Sequence, residues 1–110
     1  MKMKKLYLLV IWVFISFFSF GQDVYYTNPV KIPMFLSGSF GELRNNHFHS
    51  GIDIKTMGTT DVPVFAVADG TISRISVSSS GYGNAIYIDH DNGTTSVYGH
   101  LSQFRPDIRE

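Results

Sequence analysis

Asn84-Ala85-Ile86-Tyr87-Ile88-Asp89-His90, followed by Asp91-Asn92-Gly93 and then Thr94-Thr95-Ser96-Val97-Tyr98-Gly99-His100, is the segment from which the architecture can be read. β-Branched and aromatic residues dominate both arms, which suits a pleated, half-buried surface. Asn92-Gly93 between them is hairpin turn chemistry. The segment therefore predicts two antiparallel strands. On its N-terminal side, Val64-Phe65-Ala66-Val67-Ala68, the turn pair Asp69-Gly70, and Thr71-Ile72-Ser73-Arg74-Ile75-Ser76-Val77 predict a second hairpin. Its alternation is only partly clean. Ser78-Ser79-Ser80-Gly81-Tyr82-Gly83 joins the two hairpins as a polar loop. Further upstream, Ile32 to Phe40 contains Pro33 and the small-residue run Ser37-Gly38-Ser39, which predicts a short strand followed by loop. No helical apolar period of useful length follows the first twenty residues. The expected fold class is all-β, an antiparallel β-sheet with hairpins and with loops at its ends, where sites usually sit.

At 110 residues the chain holds at most one small domain. Lys2, Lys4 and Lys5 precede an apolar run from Leu6 to Phe20, interrupted by Ser16 and Ser19, and the small residue Gly21 follows before Gln22. This is the pattern of a secretory signal peptide over residues 1–21. The run falls short of the roughly 20 residues that cross a bilayer. Secretion or a periplasmic location is expected, with no membrane partner once the signal is removed. Residues 22–36 read as a linker or edge segment. Cysteine is absent, so an exported domain must be held by its core or by a metal. From Gln22 onward, six basic residues face nine acidic ones, a net charge of minus three. No basic cluster could neutralise a run of phosphates, which excludes nucleic acid as a partner. Oligomeric state is not encoded in any legible pattern.

His47-Phe48-His49-Ser50-Gly51-Ile52-Asp53 gathers two imidazoles and a carboxylate, the ligand types of zinc. Four residues of extended strand would hold His49 and Asp53 about 13 Å apart, so a shared ion requires a turn between them. Ser50-Gly51 supplies it, because Gly tolerates backbone angles closed to other residues. Ile52-Asp53-Ile54 then resumes as strand. On a strand His47 and His49 share a face, and the residues by themselves allow His47, His49 and Asp53 as a three-ligand site with water in the fourth position. His100 ends a strand after Ser96 and Tyr98. His90 lies in Asp89-His90-Asp91-Asn92-Gly93, where the spacing of an EF-hand loop fails, so it reads as structural. No cysteine nucleophile exists, and no serine sits in a Gly-x-Ser-x-Gly elbow.

Gly38-Ser39-Phe40-Gly41-Glu42-Leu43, His49-Ser50-Gly51-Ile52-Asp53, Ala68-Asp69-Gly70, Gly81-Tyr82-Gly83-Asn84 and Tyr98-Gly99-His100-Leu101-Ser102, in that order, resemble the lysostaphin/LytM-type zinc endopeptidases. The resemblance implies an enzyme that cleaves peptide cross-links of bacterial cell-wall peptidoglycan, with zinc as cofactor and peptidoglycan peptide as substrate. It implies that His49 and Asp53 are metal ligands, that His100 is the non-ligand active-site histidine that assists the attacking water, and that the loop bearing Tyr82 walls the substrate groove. In that family the third ligand is the second histidine of a downstream His-x-His, which leaves His47 without a metal role. The sequence ends at Glu110 with no such motif, so residues 37–110 read as a partial catalytic domain, its sheet incomplete at the C-terminus and its activity less than full. Nor does any tyrosine occur in Gly41 to Asn46, where some members carry one. The alternative is a non-catalytic domain of the same fold that binds cell wall or regulates another hydrolase. A His-x-His on a later strand would separate the two.

Overall fold

The structure is a computed structural model and describes residues 23–108. The signal-peptide reading of residues 1–21 lies outside the described residues. Within the described residues lie five strands and one 3₁₀ turn, joined by irregular segments: β1 (Leu36–Gly38), β2 (Asp53–Ile54), β3 (Thr71–Ser76), β4 (Ala85–Asp89), β5 (Thr95–Tyr98), and Pro106–Ile108. The fold is all-β, with β1 and β2 in one antiparallel sheet and β3, β4 and β5 in another, in that order. Among the described residues no helix is long and apolar enough to cross a membrane.

β4 and β5 form the hairpin expected from the turn chemistry, with Ile86 opposite Tyr98 and Asp89 opposite Thr95. Gly93, at φ 82°, takes the left-handed conformation that the turn requires. The second predicted hairpin does not form. β3 instead pairs with β4, Thr71 opposite Asp89 and Ser76 opposite Ala85, across the Ser78–Gly83 loop. Val64 to Ala68 stays irregular because its backbone groups have other partners. The Phe65 N–H donates to the Pro29 carbonyl, the Thr27 N–H donates to the Val67 carbonyl, and the Val67 N–H donates to the Tyr98 hydroxyl. Residues 27–29 thus lie against residues 65–67. Tyr26 extends this contact to the β4–β5 turn, where its hydroxyl meets Thr94 and Asn92.

The buried apolar residues among those described are Val30, Ala85 and Ile86. His90 is buried beside them, at the end of β4. Its Nδ1–H donates to the Asp69 carbonyl at 2.7 Å, and its Nε2 meets the Ser96 hydroxyl at 2.9 Å. This histidine ties the irregular 64–70 segment to the sheet, in keeping with a structural role.

β1 and β2 belong to one long, irregular hairpin. Beyond the Gly38–Asp53 pairing, the Gly41 N–H donates to the His49 carbonyl and the His49 N–H to the Glu42 carbonyl. A bridge pairs Leu43 with Phe48, and the Arg44 N–H closes the tip on the His47 carbonyl. His47 therefore sits at the turn, and His49 and Asp53 sit on the returning arm.

Candidate metal centre

His49 and Asp53 are brought together. The His49 Nε2 lies 3.2 Å from Asp53 Oδ1. Gly51 bends between them as expected, but its φ is outside the left-handed region, so the bend does not draw on glycine's special conformational freedom. The other ring nitrogen settles the chemistry of the pair. His49 Nδ1 is 2.9 Å from the Ser39 carbonyl, and a carbonyl can only accept, so Nδ1 carries a proton. In the neutral ring Nε2 is then a bare lone pair facing a carboxylate oxygen. That arrangement is repulsive unless a positive charge lies between them, either a second ring proton or a cation.

Asp53 is held ionised. The hydrogen bond from Arg44 Nη2 to Asp53 Oδ2, at 2.7 Å, is the main cause of a pKa below the ordinary carboxylate value; partial desolvation opposes it, and the nearby His49, Arg44 and His100 charges add smaller pulls. The donor set fits a divalent metal of the zinc type. Two ligand atoms at 2.0–2.2 Å from one tetrahedral ion are about 3.3–3.6 Å apart, close to the observed separation. A metal-bound histidine usually donates its other N–H to a carbonyl or carboxylate, as His49 does to Ser39.

His47 is not part of this arrangement. Exposed at the hairpin tip, it uses Nδ1 in contact with Asn46 Oδ1 at 2.8 Å, and among the described residues no group of three or more His, Cys, Asp or Glu side chains gathers as a metal site. The three-ligand reading of His47, His49 and Asp53 is thereby set aside. His100 follows β5, and its charge is the smallest of the pulls on Asp53. Its φ of 55° places a bulky residue in the left-handed region, a conformation that costs of order 1 kcal/mol or more and collects at functional positions. Its N–H donates to the Tyr82 carbonyl at 2.7 Å. The Tyr82 hydroxyl reaches back to the Ser50 hydroxyl at 2.6 Å, so Tyr82 links the loop before β4 to the residue beside His49.

Ser39, Glu42 and Arg44 were not singled out as individual site residues by the sequence. The Ser39 N–H donates to Glu42 Oε2 at 3.0 Å, which steadies the residue whose carbonyl orients His49. The only signal in the sequence was that Ser39 and Glu42 lie inside the first of the resembling motifs.

Residues 47–110 match the family model Peptidase family M23. The chain belongs to that family of peptidases. It is 46% identical over 56 residues to the DD-carboxypeptidase/endopeptidase Mpg of Neisseria meningitidis serogroup B, and to the protein of the same name from Neisseria gonorrhoeae. The matched region is 51% of this chain and 12% of each relative, so the chain spans a small fraction of their length. No solved structure matches the chain.

Proposed function

We propose that this chain belongs to a zinc-dependent endopeptidase that cleaves peptide cross-links of bacterial cell-wall peptidoglycan in the periplasm or outside the cell. His49 and Asp53 are two of its metal ligands, and the third protein ligand lies outside the described residues. The observation that carries this reading is the 3.2 Å approach of His49 Nε2 to an ionised Asp53 oxygen while His49 Nδ1 is committed to the Ser39 carbonyl. Such a pair needs a positive charge between its facing atoms, and membership of a metallopeptidase family favours a metal ion there over a second ring proton. The Neisseria relatives, named as a carboxypeptidase and endopeptidase, point to peptide bonds as the target.

When bound, zinc polarises a carbonyl and lowers the pKa of water toward about 7. The chain's own residues set up the rest. Ser39 and Arg44 fix the two ligand side chains. His100, tied through its backbone N–H to the Tyr82 carbonyl, would take a proton at its ring nitrogen and return it to the leaving amine, a general acid–base role open to an imidazole. Tyr82 forms the wall between His100 and Ser50, against which a peptide strand can lie.

Zinc stoichiometry and peptidoglycan hydrolysis, measured on the full protein and on His49→Ala, Asp53→Ala and His47→Ala, test the proposal. His49→Ala and Asp53→Ala should each lose zinc and lower hydrolysis by more than the roughly 10–100-fold typical of outer-shell changes. His47→Ala should keep both. Zinc retained in His49→Ala but lost in His47→Ala would reverse the assignment.

A further inference from the structure

Arg44 makes one strong contact, and that contact is with the carboxylate of Asp53. Its Nη2 is 2.7 Å from Asp53 Oδ2 and 3.8 Å from Glu42 Oε2. Its Nε is buried and has no hydrogen-bond partner. A guanidinium free to choose would satisfy all its donors, since a buried unpaired N–H costs about 1–3 kcal/mol. The pose is therefore dictated by Asp53 and Glu42.

The backbone opposite has made room for this pair. Gly38 is the ladder partner of Asp53 and is buried, with no left-handed φ to explain a glycine there. A Cβ at Gly38 would collide with Asp53 Oδ2 and lie 2.7 Å from Arg44 Nη2. The glycine is thus explained by close approach: the ion pair lies directly against the β1 backbone.

The two oxygens of Asp53 consequently have different partners. Oδ2 belongs to Arg44, and Oδ1 alone faces His49 Nε2. The terminal torsion of an unrestrained aspartate is broad and roughly two-fold, so without Arg44 either oxygen, or both, could turn toward a metal.

We infer that Arg44 is a positioning residue that presents Asp53 to the metal through Oδ1 alone, with Gly38 providing the space in which the Arg44–Asp53 pair is seated. The inference rests on the reading of His49 and Asp53 as metal ligands. The guanidinium is preferred to an ammonium because its planar, fixed donors orient a carboxylate, whereas lysine offers a mobile point charge.

The test compares zinc affinity, by competition with a chelator, and the visible spectrum of the cobalt(II)-loaded full-length protein across wild type, Arg44→Gln, Arg44→Lys and Gly38→Ala. Arg44→Gln should weaken zinc about 10–100-fold and change the cobalt band intensities as the carboxylate becomes free to bind through both oxygens. Arg44→Lys should fall between the two. Gly38→Ala, which keeps the charge and displaces the pair, should shift the spectrum in the same sense. Wild-type affinity and an unchanged spectrum in folded Arg44→Gln overturn the inference; where that variant does not fold, the same result in Arg44→Lys does so. Failure of the wild-type protein to take up zinc would defeat the metal reading itself. Loading of wild type and Arg44 variants alike defeats only the role of Arg44.

Discussion

The β3–β4–β5 sheet and the hairpin that carries His49 and Asp53 are built from different interactions. In the sheet, backbone pairs run from Thr71 opposite Asp89 to Ser76 opposite Ala85, with one bulge between Ile72 and Arg74, and without interruption from Ile86 opposite Tyr98 to Asp89 opposite Thr95. Ala85, Ile86 and His90 bury themselves along it. The hairpin of His49 and Asp53 has only two short paired stretches, with a shifted register between Leu36 and Gly38, and large apolar side chains such as Phe40, Leu43 and Phe48 remain exposed on it. Its shape is held by polar side chains: Arg44 on Asp53, His49 on Ser39, Glu42 on Ser39, Ser50 on Tyr82. Longer runs of backbone pairing provide a frame. Side-chain hydrogen bonds aim His49 and Asp53 at each other, with an accuracy that short, interrupted pairing does not give.

If that division is right, stability and metal binding should come apart under mutation. Ile86→Ala, which opens space beneath the sheet, should cost about 2–4 kcal/mol in urea denaturation, while the zinc affinity of the folded molecules stays at the wild-type value. A parallel loss of affinity would show that frame and site are one unit. Tyr82→Phe removes the contact to Ser50 that joins the two regions. Because this hydrogen bond is exposed, stability should fall by no more than about 1 kcal/mol, whereas the backbone resonances of Ser50 and His49 should move. Unmoved resonances would mean that the link transmits nothing.

The smallest effect concerns pH and is confined to the hairpin. Asp53 has a folded pKa lowered chiefly by the Arg44 hydrogen bond, so its unfolded state binds protons more readily. Its contribution to stability is complete above the ordinary carboxylate value near 4 and disappears as pH falls through the lower folded value. Carbon-detected titration of the metal-free protein should place the Asp53 midpoint below that ordinary value, and Arg44→Gln should bring it back up. A midpoint unaffected by Arg44→Gln would contradict the cause assigned here.

Two features of the fold were legible for local reasons. Asn92-Gly93 fixes a tight turn within a few residues, and the β-branched arms on either side follow from it. Pairing between strands far apart in sequence is a different matter. The Val64–Ala68 run has strand composition and a turn pair after it, yet its N–H and carbonyl groups go to Pro29, Thr27 and Tyr98. Those partners come from both ends of the chain, and no local pattern announces them. β3 consequently takes β4 as its neighbour across the Ser78–Gly83 loop.

The site divides along the same line. The amino-acid sequence by itself determined the chemistry available: an imidazole and a carboxylate four residues apart around a glycine, and a third histidine after a strand. Residue type and short spacing are carried by the chain directly. Only the tertiary structure decided which atoms face one another. It put His47 at a turn and out of reach, committed His49 Nδ1 to Ser39, seated Arg44 against Gly38 and turned one oxygen of Asp53 toward His49. Each of these depends on where a second segment lies in space, and that position is set by the sum of many weak, distant contacts.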